Sequence, residues 1–189
     1  YYFYPMDGSA PAKVEYTFGY KRNDDGKMRI YLHHSSLPYP GKKLGPAPLA
    51  PITLEEVVGA QREWGDAIVR ISKTYLDGGD YVAEAAKAAD DLYGYGRTDV
   101  LFKPTKAAEY PFRPTAESAM SYFVGGSAVP GGYDEDAGFA INGGSGWANV
   151  VFKNHQVELC GNTAIAMGTY WFTSAADGSE TKVEYTFGY

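Results

Sequence analysis

The chain has 189 residues, a net charge of −6, and a composition that is 44% hydrophobic and 21% charged, the balance of an ordinary globular domain with a small appendage. It contains no apolar run of about eighteen residues, which excludes a helical membrane span, and no long basic run, which argues against nucleic acid. A single cysteine, Cys160, rules out an internal disulfide framework.

Residues 1–36 read as strands. Asp7-Gly8 and Asp24-Asp25-Gly26 are turn signals. Lys13 to Lys21 and Met28 to Ser36 run between and after them. Strict alternation along the second run puts Ile30, Leu32, His34 and Ser36 on one face. Arg29, Tyr31, His33 and Ser35 then take the other. The opening Tyr-Tyr-Phe-Tyr-Pro has neither the basic region nor the cleavage site of a signal peptide.

Residues 37–52 carry prolines at 38, 40, 46, 48 and 51, and read as a stiff, extended linker. Thr53-Leu54-Glu55-Glu56 is a capping box that starts a helix near Leu54. Trp64, Ile68, Ile71 and Tyr75 give that helix one apolar face, and Asp77-Gly78-Gly79 ends it. Asp80 caps a second, alanine-rich helix through Leu92. Val100-Leu101-Phe102 reads as a short strand stopped by Lys103-Pro104. Pro114-Thr115 opens a third helix with Ser118, Ser121, Tyr122 and Phe123, closed by Gly125-Gly126. After an irregular glycine-rich stretch the pattern turns to β: Ala148 to Phe152, Gln156 to Cys160, Thr163 to Thr173 and Lys182 to Tyr189. Cys160, inside one of these strands, is expected to be buried. Helices followed by an antiparallel meander make the fold α+β, with helices on one face of a curved sheet that forms a cone around an interior pocket.

One feature joins the two ends. Lys13-Val14-Glu15-Tyr16-Thr17-Phe18-Gly19-Tyr20 recurs letter for letter as Lys182 to Tyr189, a period of 169 residues from Lys13 to Lys182. Tyr1-Tyr2-Phe3 likewise matches Tyr170-Trp171-Phe172, and Asp7-Gly8-Ser9 matches Asp177-Gly178-Ser179. Such a period is one domain long, not a solenoid unit. Residues 1–36 are then the closing strands of a preceding repeat, and residues 53–189 a cone domain lacking its last strand. The blander alternative is a single domain with two similar strands. The displaced strands can complete this body by folding back, or a neighbour's body by exchange.

Three segments set hydroxyls or imidazoles beside apolar residues at element ends: Phe102-Lys103-Pro104-Thr105, Ser121 to Gly126, and His33-His34-Ser35-Ser36-Leu37-Pro38. Buried hydroxyls must be hydrogen-bonded, so such clusters satisfy themselves or await a polar ligand. The histidines are His33, His34 and His155, too few and too dispersed for a zinc site.

Phe-Lys-Pro-Thr, Ser-Tyr-Phe-Val-Gly-Gly, Glu135-Asp136 with Gly138-Phe139-Ala140-Ile141, Ala166-Met167-Gly168, the duplicated octapeptide and His-His-Ser-Ser-Leu-Pro-Tyr together resemble the iota-class carbonic anhydrases. The resemblance spans nearly the whole chain, in circularly shifted order. It implies a nuclear transport factor 2-like cone, shared with the calcium/calmodulin-dependent kinase association domain. It also implies a homodimer, which the displaced strands could make strand-swapped, and a tandem-repeat algal protein in a plastid or another organelle. The implied reaction is reversible hydration of carbon dioxide to bicarbonate without a metal cofactor. Zinc in other carbonic anhydrases lowers the pKa of bound water from about 15.7 to about 7; without it, side chains must hold and activate the water. The residues carried over are Thr105, Tyr122, His34 and Ser36. The hydroxyls of Thr105, Tyr122 and Ser36 bind substrate oxygens, and His34 takes a proton. His34 and Ser36 are chosen for sharing a face with Ile30 and Leu32; His33 and Ser35 replace them if the face is reversed. Other readings are a non-catalytic cone that binds a small ligand or assembles subunits, and a zinc or manganese enzyme using His34 with carboxylates.

Overall fold

The computed structural model describes residues 1–36 and 50–189. The expected linker at 37–52 lies outside the described residues up to position 49. The chain divides into two compact units, Tyr1–Pro48 and Leu49–Tyr189.

In the first unit β1 (Tyr2–Phe3) pairs with β2 (Ala12–Lys13), and β3 (Glu15–Arg22) forms an antiparallel hairpin with β4 (Met28–Ser36). The turns fall at Asp7-Gly8 and Asp24 to Gly26, as the sequence indicates. The pairing departs from strict alternation at one place. The register slips between Gly19 and Tyr20, so Gly19 lies opposite Leu32 but Tyr20 lies opposite Ile30. An extra residue in one strand moves everything beyond it to the other face. Ile30 therefore shares a face with His33 and Ser35, not with His34 and Ser36, contrary to the alternation argument. Neither face is a buried side within this unit: Ile30 is 52% exposed and Leu32 45%.

The second unit begins with α1 (Leu54–Leu76), α2 (Tyr81–Leu92) and α3 (Ala116–Val124). Each starts where local chemistry satisfies its free N–H groups. The Thr53 hydroxyl accepts from Glu56 N while the Glu56 carboxylate accepts from Thr53 N. Asp80 accepts from Ala83 N, and Thr115 from Ser118 N. Gly125, with φ of 102°, ends α3, a conformation a side chain would resist.

Three antiparallel strands follow in the order β5 (Trp147–Cys160), β6 (Thr163–Ser174) and β7 (Glu180–Gly188). The two strands expected before Cys160 are one, irregular between Asn154 and Gln156. At that irregularity β6 presents Gly168, where a Cβ would sit 2.2 Å from Lys153 O; only glycine fits. The inner face of the sheet carries Ala164, Ala166, Tyr170, Phe172 and Tyr185, all buried. The α1 face bearing Trp64, Ile68 and Ile71 is buried with them in one core. Trp64 lies at its centre, with ring centroids 5.7 to 6.5 Å from Phe139, Phe152, Tyr170, Phe172 and Phe187. The fold is thus α+β with helices on one face of an antiparallel meander, as expected. No helix among the described residues is long and apolar enough to cross a membrane.

Two expectations fail. Val100 to Phe102 is not a strand: Phe102 O accepts one backbone bond, from Arg113 N at 2.9 Å, and Leu101 is 99% exposed. A lone bond is not a ladder. Cys160 is exposed, because it is the last residue of β5, beside the turn at Gly161-Asn162.

The two copies of the repeat also fold alike. Tyr2 pairs with Lys13 and Phe3 with Ala12, as Trp171 pairs with Lys182 and Phe172 with Thr181. Asp7 Oδ1 accepts from Ser9 N at 3.0 Å, as Asp177 Oδ1 does from Ser179 N at 3.0 Å.

Candidate active site

The second unit contains a cavity of about 680 Å³ walled by α1, the 92–105 segment, α3 and the last strands. Trp64, Leu92, Phe102, Phe123 and Phe139 make its apolar walls. The hydroxyl-bearing residues Thr105, Tyr122, Tyr170, Tyr185 and Tyr189 also line it. An apolar pocket with a few convergent polar groups is the usual form of a small-molecule site.

Thr105 and Tyr122, both expected from the sequence, meet here. Thr105 is exposed, in a bend after Pro104. Tyr122 is 5% exposed. Its ring stacks on Phe139 at 5.3 Å and meets Phe102 edge-on at 6.0 Å. Lys106 N donates to the Tyr122 hydroxyl oxygen at 3.4 Å, so the bend that carries Thr105 is tied to it. Among the described residues no acceptor takes the Tyr122 proton, which leaves an O–H donor directed by a fixed ring. Tyr170, which sequence reasoning missed, stands beside Thr105. Burial raises its phenol, and the nearby Thr105 side chain works against the rise.

A polar network fixes the inner wall. Gln61 and Asn154 exchange two amide hydrogen bonds, each 2.8 Å, and the Tyr185 hydroxyl donates to Asn154 Oδ1 at 2.6 Å. Gln61 is 2% exposed on α1, so a helix, the β5 irregularity and β7 are joined through one cluster. Among 17 tyrosines, nothing local distinguishes Tyr170 and Tyr185. Lys103 supplies positive charge at the rim, with Asp99 and Glu184 opposing it.

Burial, the leading cause, pushes the Tyr122 and Tyr93 phenols well above their ordinary value of 10.0, and Tyr189 up to about 12. These groups are neutral donors at physiological pH, not bases. A phenol protonated more firmly in the folded state contributes stability that is complete below its unfolded pKa and lost as pH rises beyond it. Thermal stability is therefore expected to be flat up to about pH 10 and to fall steeply above it. Calorimetric melting between about pH 8 and pH 11.5 checks this, and an unchanged melting temperature at the alkaline end contradicts it.

A scaffold of opposite charge stands behind the site. Arg113 is fully buried. Its Nη2 donates to Asp136 Oδ1 at 2.8 Å and Glu135 Oε1 at 3.2 Å, and its guanidinium lies 4.2 Å from the Tyr133 ring centroid. Asp136 Oδ2 accepts from Ser121 Oγ at 2.5 Å, next to Tyr122 on α3. Glu135 accepts three backbone N–H bonds, from Ala108, Glu109 and Tyr110, which hold its carboxyl below the usual range.

The remaining expected residues lie on β4 in the first unit. His33 faces Phe18 at 4.2 Å, its Nε2 lies 2.9 Å from Ser35 Oγ, and Ser35 Oγ lies 3.0 Å from the Tyr1 hydroxyl. His34 lies opposite Thr17 and Ser36 opposite Glu15, on the other face. Among the described residues no three His, Cys, Asp or Glu side chains converge to hold a metal ion.

The sequence matches the profile of a family described as metal-independent carbonic anhydrase over residues 1–37 and 55–189. It is 42% identical over 139 residues to a metal-independent carbonic anhydrase of Nostoc sp. (strain PCC 7120), covering 72% of this chain. The match spans 64% of the Nostoc protein's length, less than two thirds of it. The structure is similar to that of the iota-carbonic anhydrase from a cyanobacterium complexed with bicarbonate, with a TM-score of 0.65 and 41% identity, covering 76% of this chain and 86% of that one.

Proposed function

Because the chain belongs to the metal-independent carbonic anhydrase family, we propose that it catalyses the reversible hydration of carbon dioxide to bicarbonate, with no metal, in the cavity of its second unit. The observation that carries this is the Tyr122 hydroxyl, an unspent donor held rigidly beside Thr105 in an apolar pocket. Carbon dioxide is apolar and fits the wall of Trp64, Phe102 and Phe139. As water adds to its carbon, negative charge grows on the carbon dioxide oxygens. The Tyr122 and Thr105 hydroxyls donate to those oxygens, an electrostatic contribution that grows toward the transition state. The attacking water loses a proton to an imidazole of the β4 type.

His33 with Ser35 suits that role better than His34 with Ser36. Tyr1, Tyr16 and Phe18 correspond through the repeat to Tyr170, Tyr185 and Phe187. Their rings are spaced alike: 5.1 and 5.0 Å in the first unit, 5.2 and 5.1 Å in the second. His33 and Ser35 contact the first set, whose counterparts line the cavity. The same correspondence supports reading residues 1–36 as the end of one repeat and residues 53–189 as most of the next, in a tandem-repeat protein. A nuclear transport factor 2-like cone, a homodimer and an organellar location in an alga belong to this reading.

Stopped-flow measurement of carbon dioxide hydration tests it. A rate well above the uncatalysed one is expected, unchanged by chelator and in metal-analysed protein. Background rate alone overturns the enzyme; loss of rate with chelator overturns the metal-free mechanism. Thr105→Ala is expected to lower the rate roughly 10-fold, less than the about 100-fold or more of losing a water-excluded transition-state donor, because Thr105 is exposed. Its melting temperature should hold, since Thr105 is exposed.

A further inference from the structure

We infer that Glu135 is a positioning residue for the proposed reaction: its carboxylate clamps the loop 103–112, and the clamp sets where the Thr105 hydroxyl stands relative to Tyr122. This rests on the function proposed above for the cavity and adds to it a residue that substrate itself does not touch.

The loop needs a hold from outside. Arg113 N donates to Phe102 O and closes its two ends. Among the described residues, no backbone group of 103–112 bonds another backbone group. Its N–H groups meet side chains instead. Lys106 N reaches the Tyr122 hydroxyl by a long bond of 3.4 Å. Ala108 N and Glu109 N donate to Glu135 Oε2 at 2.8 and 2.9 Å, and Tyr110 N donates to Oε1 at 2.8 Å. Successive N–H groups turned to one point form an anion-binding concavity, and a carboxylate seated there makes charge-assisted bonds about twice as strong as neutral ones. The Tyr110 ring also stacks on Tyr133 at 4.5 Å. Thr105 and Lys106 lie exposed between the buried Pro104 and Ala107, just before the clamped stretch.

Glu135 is itself tied to α3. Arg113 Nη2 donates to its Oε1 at 3.2 Å. Asp136 N donates to Tyr133 O at 3.0 Å, and Gly126 N donates to Asp136 O at 2.9 Å. Tyr133 N donates to Ser121 Oγ at 2.9 Å, next to Tyr122. Two routes therefore join Tyr122 to the Thr105 loop. The short one runs through Lys106 N, and the other through Ser121, the 133–136 turn and Glu135. The second holds by three bonds where the first holds by one, so it governs the spacing of the two hydroxyls. Such fixed spacing is what two donors converging on one substrate require.

A double-mutant cycle with amide hydrogen exchange tests this. Both Glu135 oxygens accept from N–H groups, so glutamine in either orientation sets a donor against a donor. Well below its melting temperature, Glu135→Gln is expected to lower kcat roughly 10-fold, as Thr105→Ala does, with a smaller change in KM. Its Ala108, Glu109 and Tyr110 amides should exchange at least about 10-fold faster than in the parent. Added to Thr105→Ala, the same change should cost less than about 2-fold more, because no hydroxyl is left to position. Independent losses that multiply to about 100-fold overturn the inference, as do unchanged amide exchange or full kcat in Glu135→Gln. If that variant does not fold, Glu135→Asp keeps both acceptor oxygens on a shorter stem and carries the same cycle, with a smaller loss that again vanishes beside Thr105→Ala. Background rate in the parent overturns the function on which this rests. A parent that hydrates carbon dioxide beside an equally active Glu135→Gln overturns the clamp alone.

Discussion

Tyr122→Phe is expected to lower the rate of carbon dioxide hydration about 100-fold while leaving the melting temperature within a few degrees of the parent. The substitution removes one oxygen and keeps the ring. That ring is the structural part of the residue: 5% exposed, stacked on Phe139 and edge-on to Phe102. The oxygen accepts only a long 3.4 Å bond from Lys106 N, so its loss costs little folding energy, about 1 kcal/mol or less. Its proton is the part with no structural employment. In the proposed reaction it meets an oxygen that carries little charge in carbon dioxide and much more as the carbon–oxygen bond forms. Loss of such a donor acts on the transition state, so kcat should fall more than KM changes. A variant with full kcat would move the reacting atoms away from Tyr122. One with a large drop in melting temperature would show that the hydroxyl serves the fold.

The helices were legible in the sequence because caps are local chemistry. Thr53 with Glu56, Asp80 and Thr115 each satisfy N–H groups within three residues of themselves, so the starts of α1, α2 and α3 can be read letter by letter. Strands need a partner, and this is where reading fails. Val100 to Phe102 has suitable residues but no ladder. Cys160 lies in a real strand, yet at its end, where burial lapses. Strict alternation along β4 failed for a subtler reason. Ile30 and His34 are an even number apart, so alternation puts them together, but the slip at Gly19 separates them. No residue in Met28 to Ser36 announces that slip. In the cavity, Thr105 and Tyr122 stood out through their unusual neighbours. Gln61, Asn154 and Tyr185 did not, because their meeting spans 93 and 31 positions of chain. The octapeptide was legible as a repeat, and its two copies are both paired strands.

The Arg113 cluster was the least legible part and yields the largest expected change in stability. Arg113→Met is expected to destabilise the protein by about 3–5 kcal/mol, or roughly 10–15 °C in melting temperature for a unit of this size. Methionine fills much of the same space, so the loss comes from charge more than volume. Asp136, its side chain 2% exposed, would keep a buried carboxylate with no cation beside it. Glu135 is less affected, since three backbone N–H groups still hold it. Arg113→Met combined with Asp136→Asn should therefore be more stable than the sum of the two single losses predicts, because the second change removes the orphaned charge. Simple additivity would show that the pair does not act as a unit. The cluster also joins the stretch before α3 to α3 itself: Arg113 N bonds Phe102 O, and Asp136 bonds Ser121, next to Tyr122. Thr105 and Tyr122 are held at the two ends of that connection. Hydration activity in Arg113→Met should accordingly decline at temperatures well below its own melting point, as the two hydroxyls lose their fixed spacing. Activity that persists up to the melting transition would separate the cluster's role in the fold from any role in holding the site.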